Sequence, residues 1–325
     1  RSRGCRCSCI CLPAAESNRY FHLLERHPYL CSLFVCLLLN ALYFGGEAYL
    51  AQNAVLLETL ALLAAGAAVL WRLVRYQPQK KPAAVCAGVG YTLLVLSGAW
   101  CYHEAKHSGL WVLIGGCAVL SGLFWLTRKQ YHNQRRRVSL LLLGTSFLLK
   151  FFYVCYTPIT RRQHDVGKFG DADNHAGYIT YLLQHHRLPD FDPRGHWQFY
   201  HPPLHHMISA LWLWLSEHVF GISNAAAQES LQTLSLFYAM AIVITACRIL
   251  RHFRLEGMAL YAPLAVVAFH PSFILFSGSI NNDALSVVFI LGAVLWTLKW
   301  YEKQTWEGIV KIALCIGLGM MTKLS

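Results

Sequence analysis

Charge is scarce in this chain. Of its 325 residues only 14% are Asp, Glu, Lys or Arg, while 56% are apolar. A soluble domain ordinarily carries about 25% charged residues, so this balance excludes one. One HExxH string occurs, at His103 to His107 in the short segment between two apolar runs. No CxxC pair occurs, no internal repeat, and no Gly/Ser linker or low-complexity tract, so solenoids and strung-together modules are excluded. The acids are scarcest of all, 16 against 28 Lys and Arg.

The apolar residues fall in runs. Those at Tyr29–Phe44, Ala54–Leu70, Ala83–Trp100, Leu110–Leu126 and Ser139–Cys155 approach the ~20 residues with which a helix crosses ~30 Å of hydrocarbon. Four more follow at Leu231–Cys247, Met258–Phe276, Ala284–Leu298 and Ile309–Met321. The expected fold is therefore all-α, a polytopic membrane helix bundle of about nine spans, its first run serving as a signal anchor.

The formal charge of +12 does not form one patch. Its residues punctuate the apolar runs, which is the pattern of cytoplasmic loops and not of a nucleic-acid interface. Arg72, Arg75, Lys80 and Lys81 join the second and third runs, and Arg128, Lys129 and Arg135 to Arg137 join the fourth and fifth. These loops belong inside, which puts the N-terminus in the cytoplasm and the segment after Thr157 outside, at a plasma (inner) membrane. Leu204–Phe220 is apolar as well, but letting it cross would send Arg248, Arg251 and Arg254 outside. It is expected to lie along the outer interface, Trp212 and Trp214 at headgroup depth and His205, His206, Glu217 and His218 toward water.

Of the 12 cysteines, eight lie in or beside apolar runs, where a thiol behaves as a small hydrophobe. Cys5, Cys7, Cys9 and Cys11 alternate, fall on the reducing side and receive no function.

Residues 1–137 read as a cytoplasmic lead-in with four accessory spans. Residues 138–325 read as a polar-rich core whose 157–228 segment is a large extracytoplasmic loop with the interfacial helix. The stop at a membrane edge suggests a truncated chain.

Nine of sixteen histidines fall between His164 and His218, among Asp165, Asp171, Asp173, Asp190 and Asp192. Such a set can supply a general base, hold a divalent metal or grip phosphate through a protonated ring. Arg161 and Arg162 open the segment as two guanidinium forks suited to phosphate. A helix is expected from His175 to His185, with Tyr178, Tyr181 and Leu182 laid on the bilayer and Leu188 and Pro189 ending it. In FYHPPLHH, Phe199 to His206, the prolines suit a helix start, and His201, His205 and His206 fall on one turned face.

The order of these elements resembles the membrane glycosyltransferases of the C-type (GT-C) fold. The elements are an acidic motif after a span, an amphipathic helix ending in Leu-Pro, an aromatic-x-Pro-Pro-Leu element leading a helix, and a later Asp turn at Asn281 to Asp283. The likeness runs from Ser139 to Ser325 and is to the family 39-like bacterial branch of protein O-mannosyltransferases and aminoarabinose transferases. It implies inverting transfer of a sugar from a polyprenyl-phosphate-linked donor to an extracytoplasmic lipid, glycan or protein. It further implies a catalytic acid in the first outer loop, commonly an Asp-Glu pair. That pair is missing here. Asp165, Asp171 and Asp173 are the candidates, Asp165 favoured for its neighbours Arg162 and His164. His201 stands where the branch has a phosphate-contacting lysine, and Asn282 and Asp283 match the turn that lines the donor pocket. The implied donor-binding set is Arg161, Arg162, His164, His175, His201, His205, Asn282 and Asp283, with His201, His205 and His206 able to hold a divalent metal, the one candidate cofactor. Membrane lipids are the other expected partners.

Two other readings remain. His201-x-x-x-His205-His206 resembles one histidine box of membrane di-iron desaturases, a metal-dependent oxidase reading weakened by the missing further boxes and the outer compartment. A lipid-carrier flippase or transporter would need more intramembrane polar groups than Lys150 and His270.

Overall fold

A computed structural model describes residues 26–43, 60, 62–71, 89, 91–92, 95–96, 115–122, 134–157, 159 and 166–324. Among these every regular element is helical. They are α1 (Pro28–Tyr43), α2 (Gln134–Tyr156), α3 (Asn174–His185), α4 (Leu204–His218), α5 (Asn224–Ser230), α6 (Gln232–His252), α7 (Met258–Phe269), α8 (Pro271–Phe276), α9 (Asp283–Glu302) and α10 (Trp306–Met320). Three helical stretches are long and apolar enough to cross a membrane: Arg135–Cys155, Asn224–His252 and Asp283–Glu302. The four leading spans expected from the sequence fall mostly outside the described residues.

α6 is the hub, with α1, α2, α7, α8 and α9 packed on it. It is buried along most of its length, which a run apolar all round requires. α9 opens on Asp283 and closes on Lys299, an acid and a base at the ends of the helix dipole that favour them. α10 is capped by Thr305, whose Oγ1 accepts the Gly308 N–H at 3.1 Å.

The apolar run Met258–Phe276 is not one helix. Pro271 has no N–H to donate and disfavours the helical region for the residue before it, and His270 is extended at ψ 127°. The chain stops at Phe269 and restarts at Pro271. His270, counted from sequence among the intramembrane polar groups, is exposed to the outside of the protein, its Nδ1 accepting the Ser272 N–H at 3.3 Å as the cap of α8.

A broken helix leaves carbonyls without partners. The Ala268 carbonyl receives two donors from α2, Lys150 Nζ at 2.7 Å and Ser146 Oγ at 2.8 Å, and Lys150 Nζ also bonds Ser146 Oγ at 2.7 Å. Lys150 is 0% exposed, so its ammonium closes the break from inside and ties α2 to α7.

α4 has 15 residues, about 22 Å of helix, short of the ~30 Å core. Its sidedness reverses one sequence expectation. His205 and His206, expected toward water, are buried together with Ser209, Ala210, Leu213 and Ser216, because that face packs on protein. Met207, Leu211 and Trp214 face outward. Trp212 turns inward and donates its indole N–H to Ser230 Oγ at 2.8 Å.

Lys150→Ala should lower stability by about 2–3 kcal/mol, through a cavity and a lost pair of buried hydrogen bonds. Lys150→Met keeps the volume and leaves Ser146 on the Ala268 carbonyl, so it should cost about half of that or less. Thermal unfolding of the two variants in one detergent compares them.

Candidate functional site

The helix expected from His175 to His185 forms one residue earlier, at Asn174. Asn174 sits at φ 71°, a conformation Asn tolerates, and its N–H donates to the Trp197 carbonyl at 2.8 Å. The Ala176 N–H donates to Val166 O at 2.8 Å. The entry of α3 is thus clamped between residue 166 and the 196–198 turn. Gly177 permits a further close approach, since a Cβ there would lie 2.6 Å from the Asp171 carbonyl. His186 ends the helix at φ 50°, donating its N–H to Leu182 O at 3.0 Å.

Tyr178 and Leu182, expected on the bilayer, join the protein core with Ile179, Phe199, Ala210 and Leu213. Tyr178 stacks on Phe199 at 4.5 Å between ring centroids. Each fully buried Leu or Ile here contributes ~1.5–3 kcal/mol, enough to hold α3 against α4.

The entries of the two helices meet at histidines. His175 Nδ1 and His206 Nε2 are 2.9 Å apart, one ring N–H donating to the other nitrogen. His201 precedes α4, in the turn closed by its N–H on Gln198 O at 3.2 Å, and so does not share the helical face of His205 and His206; its ring stacks on His175 at 5.9 Å. The His205 ring stands nearly edge-on to His206 at 5.4 Å. Both ring nitrogens of His205 are buried and lack a hydrogen-bond partner among the described residues.

Asn282 and Asp283, far along the chain, reach the same place. Asn282 Nδ2 donates to Thr322 O at 3.0 Å and the Leu204 N–H donates to Met321 O at 3.0 Å, so the segment after α10 is stitched to the entries of both α4 and α9. Lys323 pairs with Asp283. It lies near enough to His175 to disfavour that ring's protonation, and Asp283 near enough to His205 to favour it. Lys323 is the cation that sequence reasoning missed; no motif marks it, and only the docking of the last turn brings it in.

Burial dominates the electrostatics. Desolvation holds His205 down to about 4 and, with repulsion from neighbouring imidazoles, holds His175 and His206 well below the ordinary 6.5. At neutral pH these three rings are neutral. They can pass or share a proton but cannot grip phosphate as cations, which leaves Lys323 as the cationic side chain of this cluster among the described residues.

The expected carboxylates have different places. Asp171 is exposed, its Oδ2 accepting the Lys168 N–H at 3.2 Å. Asp173 Oδ1 accepts the Trp197 N–H at 3.0 Å and lies 3.5 Å from His196 Nδ1. Both hold turns of the loop. Arg161, Arg162, His164 and Asp165 lie outside the described residues. Among the described residues no three His, Cys, Asp or Glu side chains are arranged as ligands, and His206 Nε2 lies 2.9 Å from His175 Nδ1.

A groove of about 550 Å³ runs between α3 and α4, lined by Leu182, Leu183, Met207, Leu211 and Trp214 with His186 and Arg187 at its edge. Compared with protein-family models, curated proteins and solved structures, the chain matches none.

Acidification should destabilise the fold. The folded pKa values lie below the unfolded value of 6.5, so the unfolded chain binds protons first, and stability is complete above 6.5 and declines as pH falls from there toward 4 and below. His205 alone accounts for on the order of 3 kcal/mol across that window. Melting followed against pH should show this slope in the wild type and a shallower one in His205→Gln. Gly177→Val should lower stability by about 2–3 kcal/mol, seen as a lower melting temperature at every pH, because the Asp171 carbonyl must move.

Proposed function

We propose that this protein is an inverting glycosyltransferase that takes its sugar from a polyprenyl-phosphate donor. The observation that carries the reading is the convergence of His175, His201, His205, His206, Asn282, Asp283 and Lys323 at the N-terminal ends of α3 and α4, the two short helices that also line an apolar groove. A donor of this class has a charged sugar-phosphate head and an apolar chain. The cluster offers polar and cationic contacts for the head, and the groove offers Leu, Met and Trp for the chain.

In the proposed reaction the acceptor hydroxyl attacks the anomeric carbon and a carboxylate takes its proton. The new C–O bond forms as the bond to phosphate breaks, and polyprenyl phosphate departs with the electron pair. Lys323, held by Asp283, is assigned to the departing phosphate with Arg161 and Arg162. Asp165 is assigned as the base. Its chain neighbour Val166 is bonded to Ala176 beside His175, whereas Asp171 and Asp173 are occupied in turns. The neutral His175–His206 pair is assigned to orienting the sugar head. The nine-span topology, a cytoplasmic N-terminus, an extracytoplasmic site and a plasma-membrane location belong to the same proposal, supported by the distribution of Lys and Arg.

Membranes carrying the protein should consume a radiolabelled sugar from one of a panel of polyprenyl-phosphate sugars. Asp165→Asn should reduce transfer by ~10²-fold or more, Lys323→Met by a smaller factor, and Asp171→Asn little. No consumption of any donor, or equal activity in all three variants, would contradict the proposal.

A further inference from the structure

A second polar cluster lies at the opposite end of the long helices. Arg136 is in the first turn of α2, Arg248, Arg251 and His252 are in the last turns of α6, and Lys299 is in the last turn of α9; all five line one cavity of about 430 Å³. α9 has 20 residues, so Lys299 lies some 24 Å of helix rise beyond Asp283 and the histidines. This cavity is distinct from the site above.

Among the described residues no carboxylate lines it. Glu302 stands at the rim, 3.6 Å from His252 Nε2, and Glu256 engages Arg135 at 3.4 Å, outside the lining. Helix C-termini attract cations, and those of α6 and α9 together supply about −1 charge. Arg136, Arg248, Arg251 and Lys299 supply four positive charges. Those four outnumber the charge of the two C-termini, and Arg136 sits at a helix N-terminus that itself favours an anion. The side chains are also held in place, the Arg248 guanidinium 5.3 Å over the Tyr29 ring and the Lys299 ammonium 4.5 Å over Trp296.

The rest of the lining is apolar: Leu140, Leu143 and Ile244, with Pro28 at the start of α1. Beyond Pro28, Leu30 and Phe34 remain exposed along α1 at 62% and 66%. A cationic mouth over an apolar floor, opening beside an apolar helix face, matches a molecule with an anionic head and an acyl tail. Basic pockets between membrane helices take lipid phosphate heads by this chemistry, and the volume falls in the ~300–1,000 Å³ range of small-molecule sites. We propose that this cavity binds the headgroup of an anionic phospholipid, with an acyl chain along α1.

The test uses the full chain purified in detergent. It measures lipid retention by native mass spectrometry and melting temperature, each with phosphatidylglycerol, with phosphatidylcholine and with inorganic phosphate. Phosphatidylglycerol should be retained and should raise the melting temperature, the other two much less. The pair Arg248→Gln with Lys299→Gln should weaken retention by about tenfold or more. The pair Arg254→Gln with Lys303→Gln removes equal charge from exposed positions outside the cavity and should retain the lipid as the wild type does. Equal loss in both pairs would reduce the effect to bulk charge and overturn the site. Protection by inorganic phosphate equal to that by phosphatidylglycerol would overturn a lipid ligand, and equal retention of phosphatidylcholine would overturn selection by charge. Should the Arg248/Lys299 pair fail to fold, the three wild-type arms decide.

Discussion

The docking of residues 321–323 against the entries of α4 and α9 is the interaction on which the site depends. Leu204 is held by Met321, Asn282 by Thr322 and Asp283 by Lys323. Without these bonds the histidines of α3 and α4 would still pair, but no carboxylate or ammonium would stand beside them. A buried imidazole cluster is costly unless something compensates its desolvation. Here the hydrogen bond between His175 and His206 compensates part of that cost, while both ring nitrogens of His205 lack a partner among the described residues.

The same physics governs the apolar helices. Backbone polar groups within hydrocarbon need partners inside the protein. Where Pro271 breaks the run Met258–Phe276, Lys150 and Ser146 supply them from a neighbouring helix. Polar side chains in the spans thus mend the backbone and need not be read as a transport path.

Much of this was legible in the sequence. The all-helical class follows from apolar runs too long for strands, and α3 from a three- and four-residue apolar spacing between Leu-Pro and an acidic turn. The failures share one cause. Tyr178, Leu182, His205 and His206 were assigned to bilayer or water from their own helices, and periodicity shows that a helix has two faces without showing what covers each. Tertiary packing decided that α3 and α4 cover each other. Lys323 was invisible for the same reason, since its partner lies far away in the chain. The break at His270 was readable, because Pro271 restricts the residue before it, but the run was counted by hydropathy alone.

The most direct measurement is photocross-linking of the purified protein with a polyprenyl phosphate bearing a photoreactive group in its chain. The account predicts labelling of peptides from α3 and α4, around Leu182 to Leu188 and Met207 to Trp214, that is suppressed by excess unlabelled polyprenyl-phosphate sugar. Labelling spread evenly over the spanning helices, or left unchanged by that competitor, would contradict it.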